Sequence, residues 1–244
     1  MVHYELLLVI GLMLIAFFYS SVGHGGASGY LALMALFGFA PESIRYYALI
    51  LNLVVSAIAF ISYTRAGFFR FRLAIPFLIT SMPAAYLGAQ ISINPTLYKI
   101  ILGIMLLIAV MRMLLVGNND NKETRQPPYA LALGIGLALG LVSGIIGIGG
   151  GILLSPLLIL ARYARIKEAS AAAALFIFLN SASGLAGLMT TKFTFQPEII
   201  YWIMGVMAAG FAGSAIGSRT FSELNLKRVL SLVLIAASIK LFFF

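Results

Sequence analysis

Two short stretches hold most of the groups that could do chemistry in an otherwise apolar chain. The first, Gly23-His24-Gly25-Gly26-Ala27-Ser28-Gly29, lies between two apolar runs. The second, Gly147-Ile148-Gly149-Gly150-Gly151 with Ser155 and Pro156 after it, lies between two more. Glycine inside a hydrophobic run breaks a helix and bares backbone N–H groups. Where apolar sequence resumes, a helix begins, and its first N–H groups and positive dipole end point into the turn. Two such helix starts facing each other at mid-membrane form an anion site that needs no charged side chain. On this reading Gly25, Gly26 and Ala27 line one side of the site, and Gly147, Gly149, Gly150 and Gly151 the other. The alternative is that the glycines only let helices pack closely, which is the simpler account of Gly140/Gly144 and Gly213/Gly217.

Polar side chains gather at the same expected depth. Asn52 and Asn180, each preceded by leucine, fall near the middle of their apolar runs. An amide in lipid must face protein or a polar cavity, where its NH₂ can donate to an anion or its carbonyl can clip a broken helix. Both roles remain open for the two asparagines. Ser21, Ser28, Ser143 and Ser181 are candidate hydroxyl donors, although serines in membrane helices often bond only to their own backbone. His24 is the single ionisable residue expected deep in the membrane, which makes it a candidate to bind an anion or carry a proton. Ile148 stands in its place in the second turn, so the fold does not require it.

The acids point away from other chemistries. All seven (Glu5, Glu42, Asp120, Glu123, Glu168, Glu198 and Glu223) fall near the ends of apolar runs, leaving no buried carboxylate to hold a cation or relay protons. Gly26-Ala27-Ser28-Gly29 resembles the Gly-x-Ser-Gly of rhomboid intramembrane proteases, but no histidine follows His24 to serve as the base on a later helix. There is no H-E-x-x-H, no completed G-x-G-x-x-G and no P-loop lysine, so nothing points to an enzyme, a metal or a cofactor. The absence of cysteine removes thiol chemistry.

The elements that must position these residues are membrane spans. The 244 residues are 62% hydrophobic and only 9% charged, against about a quarter charged in soluble domains. The net charge of +9 comes from thinly spread Lys and Arg, which suits loops flanking membrane spans rather than nucleic acid. The N-terminal residues lack the basic start of a signal peptide, so the first apolar run is expected to be a retained span. Apolar runs at 4–22, 27–40, 42–64, 71–92 and 95–116 form a first half. Those at 129–146, 150–161, 166–190, 197–217 and 225–244 form a second, and 117–128 is a polar linker. The runs after the glycine turns are short enough to be half-helices.

If the chain changes sides at every element, twelve of the sixteen basic residues share one face, leaving Arg45, Lys99, Lys192 and Lys240 on the other. The positive-inside rule makes the richer face cytoplasmic and puts both termini outside. Five elements per half then insert the two halves with opposite orientation. The predicted fold is an all-α polytopic membrane protein of two inverted repeats, 1–116 and 129–244. Each has a glycine-broken helical hairpin plus three transmembrane helices, joined by a cytoplasmic linker at 117–128. Matching residues support the repeat: Leu51-Asn52 with Leu179-Asn180, and Ala84 and Gly88 with Gly213 and Gly217.

Gly147-x-Gly149-Gly150-Gly151 followed by Ser155-Pro156, after Ser143-Gly144, resembles the TauE/SafE sulfite-exporter family. The copy at Gly23–Gly26 departs from it, with Ala27 for the third glycine and Ala32 for the proline. The resemblance extends over essentially the whole chain. It implies a permease in the bacterial cytoplasmic membrane for sulfite, sulfonates or related sulfur-containing anions, often working as an exporter. The expected partners are thus a small anion and the lipid bilayer, with no nucleic acid. The rival readings are a channel or carrier for another small solute and a non-transporting membrane subunit.

Overall fold

A computed structural model describes residues 2–39, 41–91, 124–189 and 197–222, with isolated positions between 94 and 111 and between 225 and 235. Among the described residues the chain forms eight helices and no strand. In the first half these are α1 (Val2–Ser21), α2 (Ala27–Leu36), α3 (Pro41–Arg65) and α4 (Phe71–Ala89). In the second they are α5 (Tyr129–Ile146), α6 (Gly151–Leu160), α7 (Ile166–Leu188) and α8 (Ile199–Arg219). Their limits fall within a few residues of the apolar runs. The largest difference is α2, which stops at Leu36, ahead of Gly38 in a left-handed conformation (φ 77°). The runs at 95–116 and 225–244, and most of the linker, lie outside the described residues.

Helices α3, α4, α5, α7 and α8 are long and apolar enough to cross a membrane. By contrast α2 and α6 have 10 residues each, about 15 Å at 1.5 Å per residue and half of a hydrocarbon core of roughly 30 Å. The segments after the glycine turns are therefore half-length helices.

The packing interleaves the two halves. One apolar core is built mainly from α1, α2 and α3 with α8, and is joined by Ile146, Ile148, Ile152 and Ile166 of the second half; the other is built from α5, α6 and α7 with α4. The contacting pairs match across the halves: α1 packs on α8 as α5 packs on α4, α3 on α8 as α7 on α4, and α2 on α3 as α6 on α7. Helices α3 and α7 meet at the centre, and more than half of each span is buried, whereas two-thirds of α5 and of α8 face outward. The outward residues are apolar, as lipid requires, including Leu131, Leu137 and Leu141 on α5 and Ile200, Met204, Met207 and Phe211 on α8.

Small residues set the two interleaved contacts. A Cβ on Gly140 would lie 2.3 Å from the Ser81 carbonyl oxygen, and one on Gly144 2.1 Å from that of Ala85, both on α4. On the other side, a Cβ on Gly213 or Gly217 would lie 2.1 or 1.9 Å from the Phe17 or Ser21 carbonyl oxygen of α1. Backbones this close gain dispersion contacts that lipid cannot match, which drives association where the hydrophobic effect is absent.

Polar contacts tie together four basic connections. Arg70, before α4, reaches Glu168 on α7 and Thr124 at 3.2 Å each. Arg125 donates to the Ala161 carbonyl and Lys167 to that of Ser218. The segments that the charge count assigned to one face are thus joined to one another.

The α4–α5 contact predicts a sharp difference between two glycines of one helix. Gly140→Leu should destabilise the purified protein by about 1–3 kcal/mol or more, because the side chain meets backbone that cannot yield. Gly134→Ala, exposed and with nothing within 4 Å of its added Cβ, should leave the thermal midpoint in detergent unchanged or raise it slightly. Equal midpoints for the two variants would contradict the close-packing account.

Candidate functional site

The two glycine turns close in the same way. Gly23 and Gly147 take left-handed φ values of 78° and 81°, and Gly26 and Gly150 take 99° and 70°. A Cβ is unfavourable there, which is why glycine recurs at both places. After each first glycine the chain folds back on the helix it has left, with His24 N–H donating to the Tyr19 carbonyl and Ile148 N–H to that of Ser143. The following helices start alike, Tyr30 N–H donating to Gly26 and Leu154 N–H to Gly150. The two turns share these features and differ at one pair: Gly149 is left-handed (φ 73°), whereas Gly25 is not.

Asn52 joins the two turns. It is 1% exposed and sits about 16 Å along α3, near the middle of the span. Its Oδ1 accepts from the Ala27 N–H at 3.1 Å, capping the first peptide group of α2. Its Nδ2 donates to Ser181 Oγ at 2.8 Å and to the Ile148 carbonyl, inside the second turn, at 3.4 Å. Neither turn has room to spare. A Cβ on Gly25 would lie 2.0 Å from Asn52 Oδ1, and one on Gly149 would lie 2.6 Å from Asn52 Nδ2 and 2.8 Å from Ser181 Oγ. Thus Gly25, Ala27, Asn52, Gly149 and Ser181 meet at one point, together with the Ile148 carbonyl.

The remaining sequence candidates lie around this clasp in different roles. His24 is buried, with Nδ1 3.0 Å from the Val22 carbonyl and Nε2 3.1 Å from Ser155 Oγ on α6. A carbonyl only accepts, so Nδ1 carries a proton in its contact with Val22. Ser28 pairs with the Tyr19 hydroxyl at 2.8 Å, so the histidine and serine of the protease-like phrase have separate partners. Ser21 returns its hydroxyl to the Phe18 carbonyl of its own helix. Gly26 lies under the Tyr30 ring, and Gly150 lies between Phe176 and Ser143. Gly151 packs on Ile177 and the Ala173 carbonyl, and Gly147 beside the Arg45 side chain. Asn180 donates to the Phe176 carbonyl of its own helix; its Oδ1, Ser143 Oγ and the Tyr30 hydroxyl are buried without a partner among the described residues. The turns and these side chains are closed to solvent from every direction.

Sequence reading missed how much of the site α3 supplies. Arg45, which the charge count leaves on the less basic face, donates to the Gly144 carbonyl at 3.0 Å and to the Ala89 carbonyl at 3.3 Å. It therefore caps the final turns of α5 and α4, where carbonyls lack helical partners and a cation suits the dipole. Tyr63 donates to the Ser21 carbonyl at the end of α1. At 100° per residue, Arg45, Asn52 and Tyr63 lie within about 20° of one line along α3. That alignment is legible in the sequence, but what the line faces is not.

The sulfite exporter TauE/SafE family profile matches residues 7–241. The chain belongs to this family, and its place in cells is the membrane. It is 34% identical over 238 residues to the "Probable membrane transporter protein y4hK" of Sinorhizobium fredii, covering 96% of both chains. It is 24% identical over 208 residues to the "Probable membrane transporter protein YunE" of Bacillus subtilis, covering 77% of this chain and 75% of the relative. A Xylella fastidiosa "Probable membrane transporter protein" is 27% identical over 192 residues. No solved structure matches the chain. Family and relatives assign a role in membrane transport.

The clasp predicts a stability effect. Asn52→Leu strands the buried Ala27 N–H and leaves Ser181 and the Ile148 carbonyl without their donor, each loss worth about 1–3 kcal/mol. Its melting midpoint should fall by several degrees, well beyond that of Ser56→Ala, whose hydroxyl bonds only to the carbonyl three residues back. Equal midpoints would mean that Asn52 does not hold the turns.

Proposed function

We propose that the protein is a permease for small sulfur-containing anions (sulfite, sulfonates or related organosulfur anions) working by alternating access. One observation carries the reading: the start of one half-helix and the glycine turn that leads into the other, both buried, are held together by a single neutral amide. None of the seven acids lies in either glycine turn; Glu42 and Glu168 sit in the first turns of α3 and α7, far along those helices from Asn52 and Ser181. The Asn52 carbonyl occupies the place at Ala27 N–H that an anion oxygen would take. An arriving anion displaces one acceptor by another and exposes its charge to the N-terminal dipole ends of α2 and α6. The sulfur in the substrate comes from the family description; the geometry supports a small anion.

Alternating access follows from the closed turns and the interleaved halves. An open pore has a continuous path, whereas these turns are shut on both sides, which favours a carrier. Exchanging α1–α4 with α5–α8 maps the main helix contacts onto one another, and this supports inverted repeats whose rocking would open the site to each side in turn. With the positive-inside rule, the joined basic connections lie in the cytoplasm and both termini outside, in the cytoplasmic membrane.

Uptake of labelled sulfite by proteoliposomes tests the proposal. The parent protein should give flux above empty liposomes. Gly150→Leu, which puts a branched side chain at φ 70° within 3.0 Å of Phe176 and Ser143, should lower it at least tenfold. Equal flux from parent and variant would remove the glycine-turn site, and no flux of any small oxyanion by the parent would remove the permease.

A further inference from the structure

Asn52 and Asn180 occupy corresponding places in the two halves, yet they do different things. Both are buried at 1% exposure. Asn52 uses both ends of its amide, one on each turn. Asn180 donates back to Phe176 on its own helix, and its Oδ1 meets no donor among the described residues. The backbone repeats the inequality. Ala27 N–H donates to Asn52, whereas its counterpart Gly151 N–H turns back onto the Gly149 carbonyl at 3.0 Å. The turns share left-handed glycines at Gly23/Gly147 and Gly26/Gly150 but differ at the pair between: Gly149 is left-handed (φ 73°) and Gly25 is not. It is the Gly149 carbonyl that takes the Gly151 N–H, so the role of each asparagine goes with the backbone of its own turn. A buried acceptor without a donor is costly and calls for a reason.

We infer that Asn52 and Asn180 exchange roles between the two end states of the transport cycle. In the second state Asn180 Oδ1 accepts from Gly151 N–H and its Nδ2 donates to the His24 carbonyl, the counterpart of Ile148, while Asn52 releases Ala27. Asn180 is then a positioning residue, idle in the present state and required in the other. The inference rests on the alternating-access reading above: halves inserted in opposite senses turn an exchange of roles into an exchange of sides. The resting bias follows from one substitution. Leu53 stands where Ser181 stands in the second half, so the clasp made by Asn180 lacks the Nδ2–Ser181 bond, and the state held by Asn52 is favoured.

The chain has no cysteine, so one introduced at Val22 or Ile148, each buried in a closed turn, is the only thiol. In vesicles the parent with either cysteine should react slowly with a membrane-impermeant maleimide as the turns open. Asn180→Leu should hold the present state: labelling and sulfite flux fall at least tenfold, while the melting midpoint stays or rises. Asn52→Leu should label faster and melt lower. A merely structural role for Asn180 would lower the midpoint as Asn52→Leu does, and that result overturns the inference. So does labelling and flux at the parent rate, or a parent that never labels. Labelling that follows the expected pattern in a parent without anion flux would instead uphold the exchange and refute the anion reading.

Discussion

Three hydrogen-bonding groups from three separate regions converge on the Asn52 amide: the first N–H of α2, the Ile148 carbonyl and the Ser181 hydroxyl. A broken helix in a bilayer leaves backbone groups that water cannot satisfy, so some side chain must meet them. One carboxamide carries both a donor and an acceptor, which lets it serve two turns of opposite need. The same line of α3 adds Arg45 at the ends of α4 and α5 and Tyr63 at the end of α1. Helix α3 is the post to which the unsatisfied ends of the other helices are tied.

On the proposed reading, this arrangement lets an anion be held in a nearly uncharged interior. A buried arginine or lysine at the turns would carry a large desolvation cost whenever the site is empty. Partial charges at helix starts carry no such penalty, because the Asn52 carbonyl satisfies the α2 start in the absence of an anion. The close glycine contacts between α1 and α8 and between α4 and α5 serve the same end. They bind each half to a helix of the other chiefly by close backbone approach, with Thr80 donating to the Leu133 carbonyl across α4 and α5.

Much of this could be read from residue types alone. The helices, the half-length of α2 and α6, and the glycine turns follow from hydropathy and from the rule that glycine breaks an apolar run. The packing role of Gly140, Gly144, Gly213 and Gly217 follows from their spacing. These are local properties, fixed within a few residues along the chain. The roles of His24, Ser28 and Arg45 were not legible in this way. His24 lies four residues from Ser28 but bonds to Ser155, 131 residues away, and Arg45 looks like any basic residue near a helix start.

The sequence by itself determined a membrane protein with two glycine-broken helices, a shared pattern in its halves and no acid at the turns. Only the tertiary structure decided that the two turns meet at one asparagine, and that its counterpart is left without a donor. The reason is physical. Helix formation in an apolar solvent depends on bonds within a single segment. Which amide satisfies which broken end depends on how segments far apart in the chain cross, and residues of identical type in corresponding places can fall on opposite sides of that choice.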